Sequence, residues 1–138
     1  MSELDRKEEL SHSLAEVRAR ILEATAKASR KPEDVTLVVV TKTYPISDVE
    51  ILHQLGVSDF GENRSAEGLE KSAIVSAHWH FQGQIQSNKL KSITSWASVI
   101  HSLDDPRHFE IIEKVAPHPL SIFLQVSLDG AHHRGGAG

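Results

Sequence analysis

Cysteine is absent from the 138 residues, which excludes disulfide scaffolds, thiolate zinc sites, iron–sulfur clusters and cysteine nucleophiles. Basic charge is not in excess either: 15 Lys+Arg stand against 19 Asp+Glu, a formal charge of −4 with a pI near 6.1. No global field therefore draws the chain to nucleic acid or to an anionic lipid surface. The N-terminal stretch MSELDRKEELSHSLAEVRAR has no apolar core of the kind a signal peptide needs, and no run approaches membrane-spanning length. A soluble, cytoplasmic protein is expected. The glycine fingerprint of a dinucleotide fold and the P-loop are both missing, because Gly130, Gly135, Gly136 and Gly138 do not follow a strand and open a helix at the required spacing. The length allows one domain of ordinary size.

What is present alternates between two periods. Residues 3–28 carry Leu10, Leu14, Val17, Ile21 and Ala24 at steps of four and three, an amphipathic helix that Lys31-Pro32 closes. VTLVVV (Val35–Val40) has no polar face and reads as a strand buried on both sides, as in a parallel sheet. A short helix over Ser47–Leu55 follows, with Ser47 placed as N-cap. Further strands are expected at Val57–Phe60, Ala77–Phe81, Ser98–His101 and Leu120–Val126. Helices are expected at Arg64–Ser76, near Ser87–Thr94, and at Arg107–Val115 with Pro106 in its first turn. Such alternation means βαβ units and an α/β fold with a parallel sheet. Periodicity leaves open whether five strands make a small doubly wound sheet or the first part of a (βα)8 barrel. Four of the eight glycines fall in 130–138, so residues 1–129 read as the folded part and 130–138 as a Gly-rich tail expected to be disordered.

Lys42 lies two residues beyond the first strand, where parallel α/β folds hold their ligands. A lysine partly desolvated in that mouth has a lowered pKa and a free amine able to form a Schiff base; the plain alternative is a solvated loop lysine. Gly61-Glu62-Asn63-Arg64 ends the second strand. Asn63 can offer a donor and an acceptor to a flat polar ligand, or it can simply cap a helix while Arg64 pairs with Glu67. His78 and His80 share one face of the third strand, and with His101 could make three zinc ligands. With no Asp or Glu in the motif they read better as packed or hydrogen-bonded residues, and no metal site is assigned. Gln86-Ser87-Asn88-Lys89 is a polar loop with helix-start character. In the tail, a single Arg134-Gly135-Gly136 is little evidence for RNA, and His132-His133 is too short for a metal site.

VVVTKTYP (Val38–Pro45), FGENR (Phe60–Arg64), HWHFQGQIQSNK (His78–Lys89) and HSLD (His101–Asp104) follow one another at strand ends. Together they resemble the pyridoxal-phosphate homeostasis proteins, relatives of the N-terminal barrel of alanine racemase. The resemblance runs from the first helix to about Asp129 and implies a (βα)8 TIM-barrel type fold, here with the N-terminal helix and about the first five strands. It implies that Lys42 forms the Schiff base with pyridoxal 5′-phosphate (PLP), that Asn63 lies in the cofactor pocket, and that His80 and Gly83 line the same mouth. Gln82 departs from the aliphatic residue usual in the family. The Ser-Met-Gly-Met-Ser and Arg-x-Gly segments, which the resemblance assigns to phosphate and ring, are not in this sequence. A full barrel takes roughly 250 residues, so the chain reads as a partial one, with an open edge suited to self-association.

The resemblance implies a PLP carrier or regulator without turnover. A racemase needs a second acid/base across the ring, and the sole tyrosine, Tyr44, lies two residues from Lys42. The enzyme alternative would use Lys42 with His80 or His101. The remaining alternative is an inert fragment that binds no cofactor.

Overall fold

The computed structural model describes residues 2–131 and 135–137. Helix α1 (Glu3–Lys27) is capped by the Ser2 side chain, which accepts from the Asp5 amide. After a 3-10 turn at Pro32–Asp34 come β1 (Val39–Val40), α2 (Ile46–Gln54), β2 (Asp59–Glu62), α3 (Ser65–Ile74) and β3 (His78–Phe81). A second 3-10 turn at Ser87–Lys89 leads into α4 (Leu90–Trp96), then β4 (Val99–Leu103), α5 (Pro106–Val115) and β5 (Ser121–Leu124). The five strands pair in chain order, β1-β2-β3-β4-β5, and every pair is parallel. Sequential parallel order with a helix in each crossover is the pattern of a (βα)8 barrel, not of a sheet whose order reverses in the middle. The chain forms part of such a barrel.

The register sorts the side chains onto two faces. Phe60 aligns with Trp79, Glu62 with Phe81, and Phe81 with Ile100; all five are buried on the helix side. Phe60 stacks on Trp79 with ring centroids 5.3 Å apart, and Phe81 meets Trp96 of α4 edge-on at 6.1 Å. The Trp79 Nε1 donates to the Val75 carbonyl at 2.9 Å, so its one polar atom is satisfied inside the core. On the other face Val40 aligns with Gly61, and Gly61 with His80.

Several boundaries differ from those the pattern suggests. The apolar run at Val35–Val40 supplies only two ladder residues, and Val35 and Val40 are 37% and 47% exposed. The run is not buried on both sides because β1 is an edge strand, with β2 as its one partner. Helix α2 begins one residue earlier than Ser47, and Pro45 stands at the cap with no side-chain hydrogen bond. The fixed φ of proline ends the preceding loop there. On α1, Leu14 and Thr25 are buried while Val17 is exposed, so the buried stripe is narrower than the apolar one. β2 runs on through Gly61 and Glu62, whose side chain finds a buried partner.

Of the tail 130–138, residues 132–134 and 138 lie outside the described residues, and with them His132-His133 and Arg134. Ala137 forms a parallel bridge with Val126, and the Gly136 amide donates to Asp104 Oδ2 at 2.8 Å. Among the described residues, no helix is long and apolar enough to cross a membrane.

Candidate cofactor site at the strand ends

The loop after β1 is tied down on both sides of Lys42. The Thr41 amide donates to the Gly61 carbonyl at 3.1 Å, which carries the β1–β2 ladder one residue further. The Thr41 hydroxyl donates to Glu62 Oε1, and Lys71 Nζ donates to the Thr41 carbonyl at 2.7 Å. Lys71 also pairs with Glu62 Oε1 at 2.8 Å and Glu67 Oε2 at 3.4 Å. On the far side of Lys42, the Thr43 amide donates to Glu67 Oε2 at 3.1 Å. The Tyr44 amide returns to the Thr41 carbonyl at 3.0 Å, closing a tight turn in which Thr43 has φ +68°. That is the left-handed region, costly for a β-branched residue.

Glu62 is fully buried and Lys71 nearly so. Burying such a pair is expensive, and removing one partner costs about 3–5 kcal/mol because the other charge is stranded. The Thr43 hydrogen bond comes first in holding the Glu67 carboxyl below its usual range, with Lys71 adding to it against the opposing effect of burial. Lys42 itself is exposed, not partly desolvated, since β1 has a neighbour on one side only. Among the described residues its amine has no hydrogen-bond or ion-pair partner.

Asn63 is exposed at the end of β2. It does not cap α3: Arg64 occupies that position without a side-chain bond, and Glu67 is held by Thr43 and Lys71 instead of Arg64. Asn63 lines a cleft of about 380 Å³ together with Arg64, Gln84, Gln86 and Lys89. Gly83 stands directly against it, since a methyl group there would come within 2.2 Å of the Asn63 carbonyl oxygen. Only glycine permits that approach between the ends of β2 and β3. Ser102 of β4 donates to the Gly83 carbonyl, which fixes the same rim from the next strand. Gln82 lies over Gly61, so a polar group does enter the wall between β2 and β3.

His80 sits at the middle of β3 and is buried. The Asp59 carboxylate can only accept, so His80 donates to it from Nε2 at 2.8 Å and accepts at Nδ1 from His101 Nε2 at 2.7 Å. His101 stacks on Phe123 at 5.0 Å. Burial lowers the pKa of His101, and the neighbouring His80 lowers it further. These bonds use both ring nitrogens of His80, and His78 is exposed outside the chain. No group of three metal-binding side chains occurs among the described residues.

The structure therefore gathers Asn63 and Gly83 at one rim, sets Lys42 at the end of the adjacent strand, and holds His80 in the wall below. Sequence reasoning missed Asp59, Lys71 and the structural use of Glu62 and Glu67. The signal for Glu67 and Lys71 was their four-residue spacing on a helix, which reads equally as a solvated surface pair. Nothing local marked the partnership of Glu62 with Lys71.

The site is that of a parallel α/β partial barrel with an unpaired lysine beyond its first strand. No family model matches the chain. It is nevertheless a homologue of bacterial proteins named pyridoxal phosphate homeostasis protein. It is 35% identical to the one from Mycobacterium leprae, over 96% of this chain and 60% of that protein. With those of Pseudomonas aeruginosa and Escherichia coli it is 37% and 30% identical, over 92% and 93% of this chain and 58% of each relative. The chain thus spans about three-fifths of the length of these relatives. Among solved structures, an unknown protein of Bifidobacterium adolescentis superposes with TM-score 0.86 at 25% identity, over 97% of this chain and 61% of that one. PipY of Synechococcus elongatus, solved with PLP bound, gives 0.72 at 28% identity, over 86% and 55%.

Proposed function

We propose that this chain binds PLP through Lys42 and acts in PLP homeostasis without turning over a substrate. The observation that carries the reading is the Lys42 amine, free and exposed on a loop whose two flanking residues are anchored, in a homologue of PLP homeostasis proteins. The residues fit the cofactor's aldehyde. The unpaired amine of Lys42 would hold the cofactor through its aldehyde carbon, with water as the leaving group. When bound, PLP supplies an electron sink. Asn63 offers its amide at the rim, Gly83 keeps the two strand ends close, and His80 forms wall below them. The reading without turnover is supported by His80, one of the two acid/base candidates, whose ring nitrogens are both engaged, with Asp59 and with His101. We place the protein in the cytoplasm and propose that it self-associates through its open sheet edge.

The test is to mix the 138-residue chain with PLP, record the spectrum, reduce with borohydride and map the modified lysine by mass spectrometry. Stoichiometric labelling at Lys42, abolished in Lys42→Ala and only weakened in Asn63→Ala, is expected. Diffuse labelling over several lysines, or retained labelling in Lys42→Ala, sinks the assignment. Racemisation of added L-alanine would sink the non-enzymatic part alone.

A further inference from the structure

We infer that Glu62, Glu67 and Lys71 form a positioning clamp for Lys42, an inference that rests on the proposed role of that lysine. The three side chains come from β2 and α3, and they bond the residue before Lys42 and the residue after it. Thr41 is held through its hydroxyl by Glu62 and through its carbonyl by Lys71. Thr43 is held through its amide by Glu67. Both peptide neighbours of Lys42 are thereby fixed, while its own side chain is left free.

Two features make this more than a fold-stabilising ion pair. A buried Glu–Lys pair is a poor stabiliser, since apolar residues of similar volume serve a core as well or better. Here, moreover, three of the cluster's hydrogen bonds go to the Lys42 loop. It also holds Thr43 at φ +68°, a conformation this β-branched residue avoids and which persists only where its surroundings impose it. Strain held locally by dedicated contacts is the mark of preorganisation: the backbone that aims a reacting group is set before the ligand arrives. Glu67 is the hinge of the device, because among the cluster's three side chains it is the one bonded to the residue beyond Lys42, and it is partly exposed.

The experiment compares wild type, Glu67→Ala and Glu67→Gln in the full 138-residue chain. Amide hydrogen exchange at Thr43 is followed by NMR, and PLP labelling at Lys42 by borohydride trapping and mass spectrometry. In Glu67→Ala, Thr43 exchange should accelerate by at least about tenfold, with Phe60 and Phe81 unchanged. Labelling at Lys42 relative to the other lysines should fall by about fivefold or more. The Gln variant keeps an acceptor for the Thr43 amide and should recover most of both, a rescue that general destabilisation would not produce. Unchanged Thr43 exchange in Glu67→Ala overturns the clamp, as does faster exchange with labelling intact. If wild type takes no PLP at Lys42, the functional reading falls, and Thr43 exchange alone decides whether the clamp exists.

Discussion

His101 shows how a single side chain ties the wall of the site to solution conditions. Its ring lies against Phe123 and donates to His80, which in turn donates to Asp59. Burial first, and His80 second, lower its pKa from the ordinary 6.5. The unfolded chain therefore binds this proton more readily than the folded one. By linkage, the stability associated with His101 is fully present above pH 6.5 and is lost as pH falls through its folded value. Urea midpoints should decline between pH 7.5 and 5.5, and His101→Gln, which keeps a donor for His80, should flatten that decline. An unaltered slope in the variant would show that His101 does not carry it. Cofactor loss on mild acidification, if found, would then have a structural source separate from the chemistry at Lys42.

Helix α3 links the clamp to the core, and a glycine in its middle governs how it packs. A methyl group at Gly68 would fall 2.2–2.5 Å from the indole carbons of Trp96 on α4. Trp96 is itself buried against Phe81. Alanine at a helix interior is better than glycine by about 1 kcal/mol, yet overpacking here should cost about 1–3 kcal/mol. Gly68→Ala is accordingly expected to lower the urea midpoint, and a stabilised variant would mean that Trp96 turns aside freely. Because Glu67 and Lys71 ride on the same helix, the variant should also loosen the Lys42 loop. Elements of this kind mark the limit of what the sequence reveals. The alternation of five strands with helices was legible, since it depends on local hydrophobic period. So was Lys42 at a strand end, and the motif spacing that carries the family resemblance. The extent of β1 was not, because hydrophobicity reports a capacity for burial and not the presence of a second neighbouring strand. The pairing of Glu62 with Lys71, nine residues apart on a strand and a helix, arises only once α3 packs. The bond from Asp59 to His80 likewise needs the parallel register of β2 and β3.

At the scale of the molecule, the sheet has two unpaired sides among the described residues. β1 meets only β2, and beyond β5 the described chain adds a single bridge between Val126 and Ala137. Near that edge Phe123, Leu124 and Val126 are 57%, 73% and 60% exposed. A row of unpaired backbone groups beside large apolar side chains is a template for another strand, and the apolar area left in water favours covering it. A second copy presents the same edge, and none of these three residues carries a charge to oppose the approach. The bridging Ala137 and the contact of Gly136 with Asp104 shield one end of β5, so the proposed self-association would engage Ser121–Leu124. Under that proposal association obeys mass action, and the sedimentation coefficient should rise over about a hundredfold increase in concentration. Leu124→Lys sets a charge at the exposed edge, a device that discourages strand addition, and should shift the distribution toward monomer while leaving the fold unaltered by circular dichroism. A wild-type chain that sediments as a monomer throughout that range would show that the edge is protected by other means, and PLP labelling at Lys42 would then have to be read for a single copy.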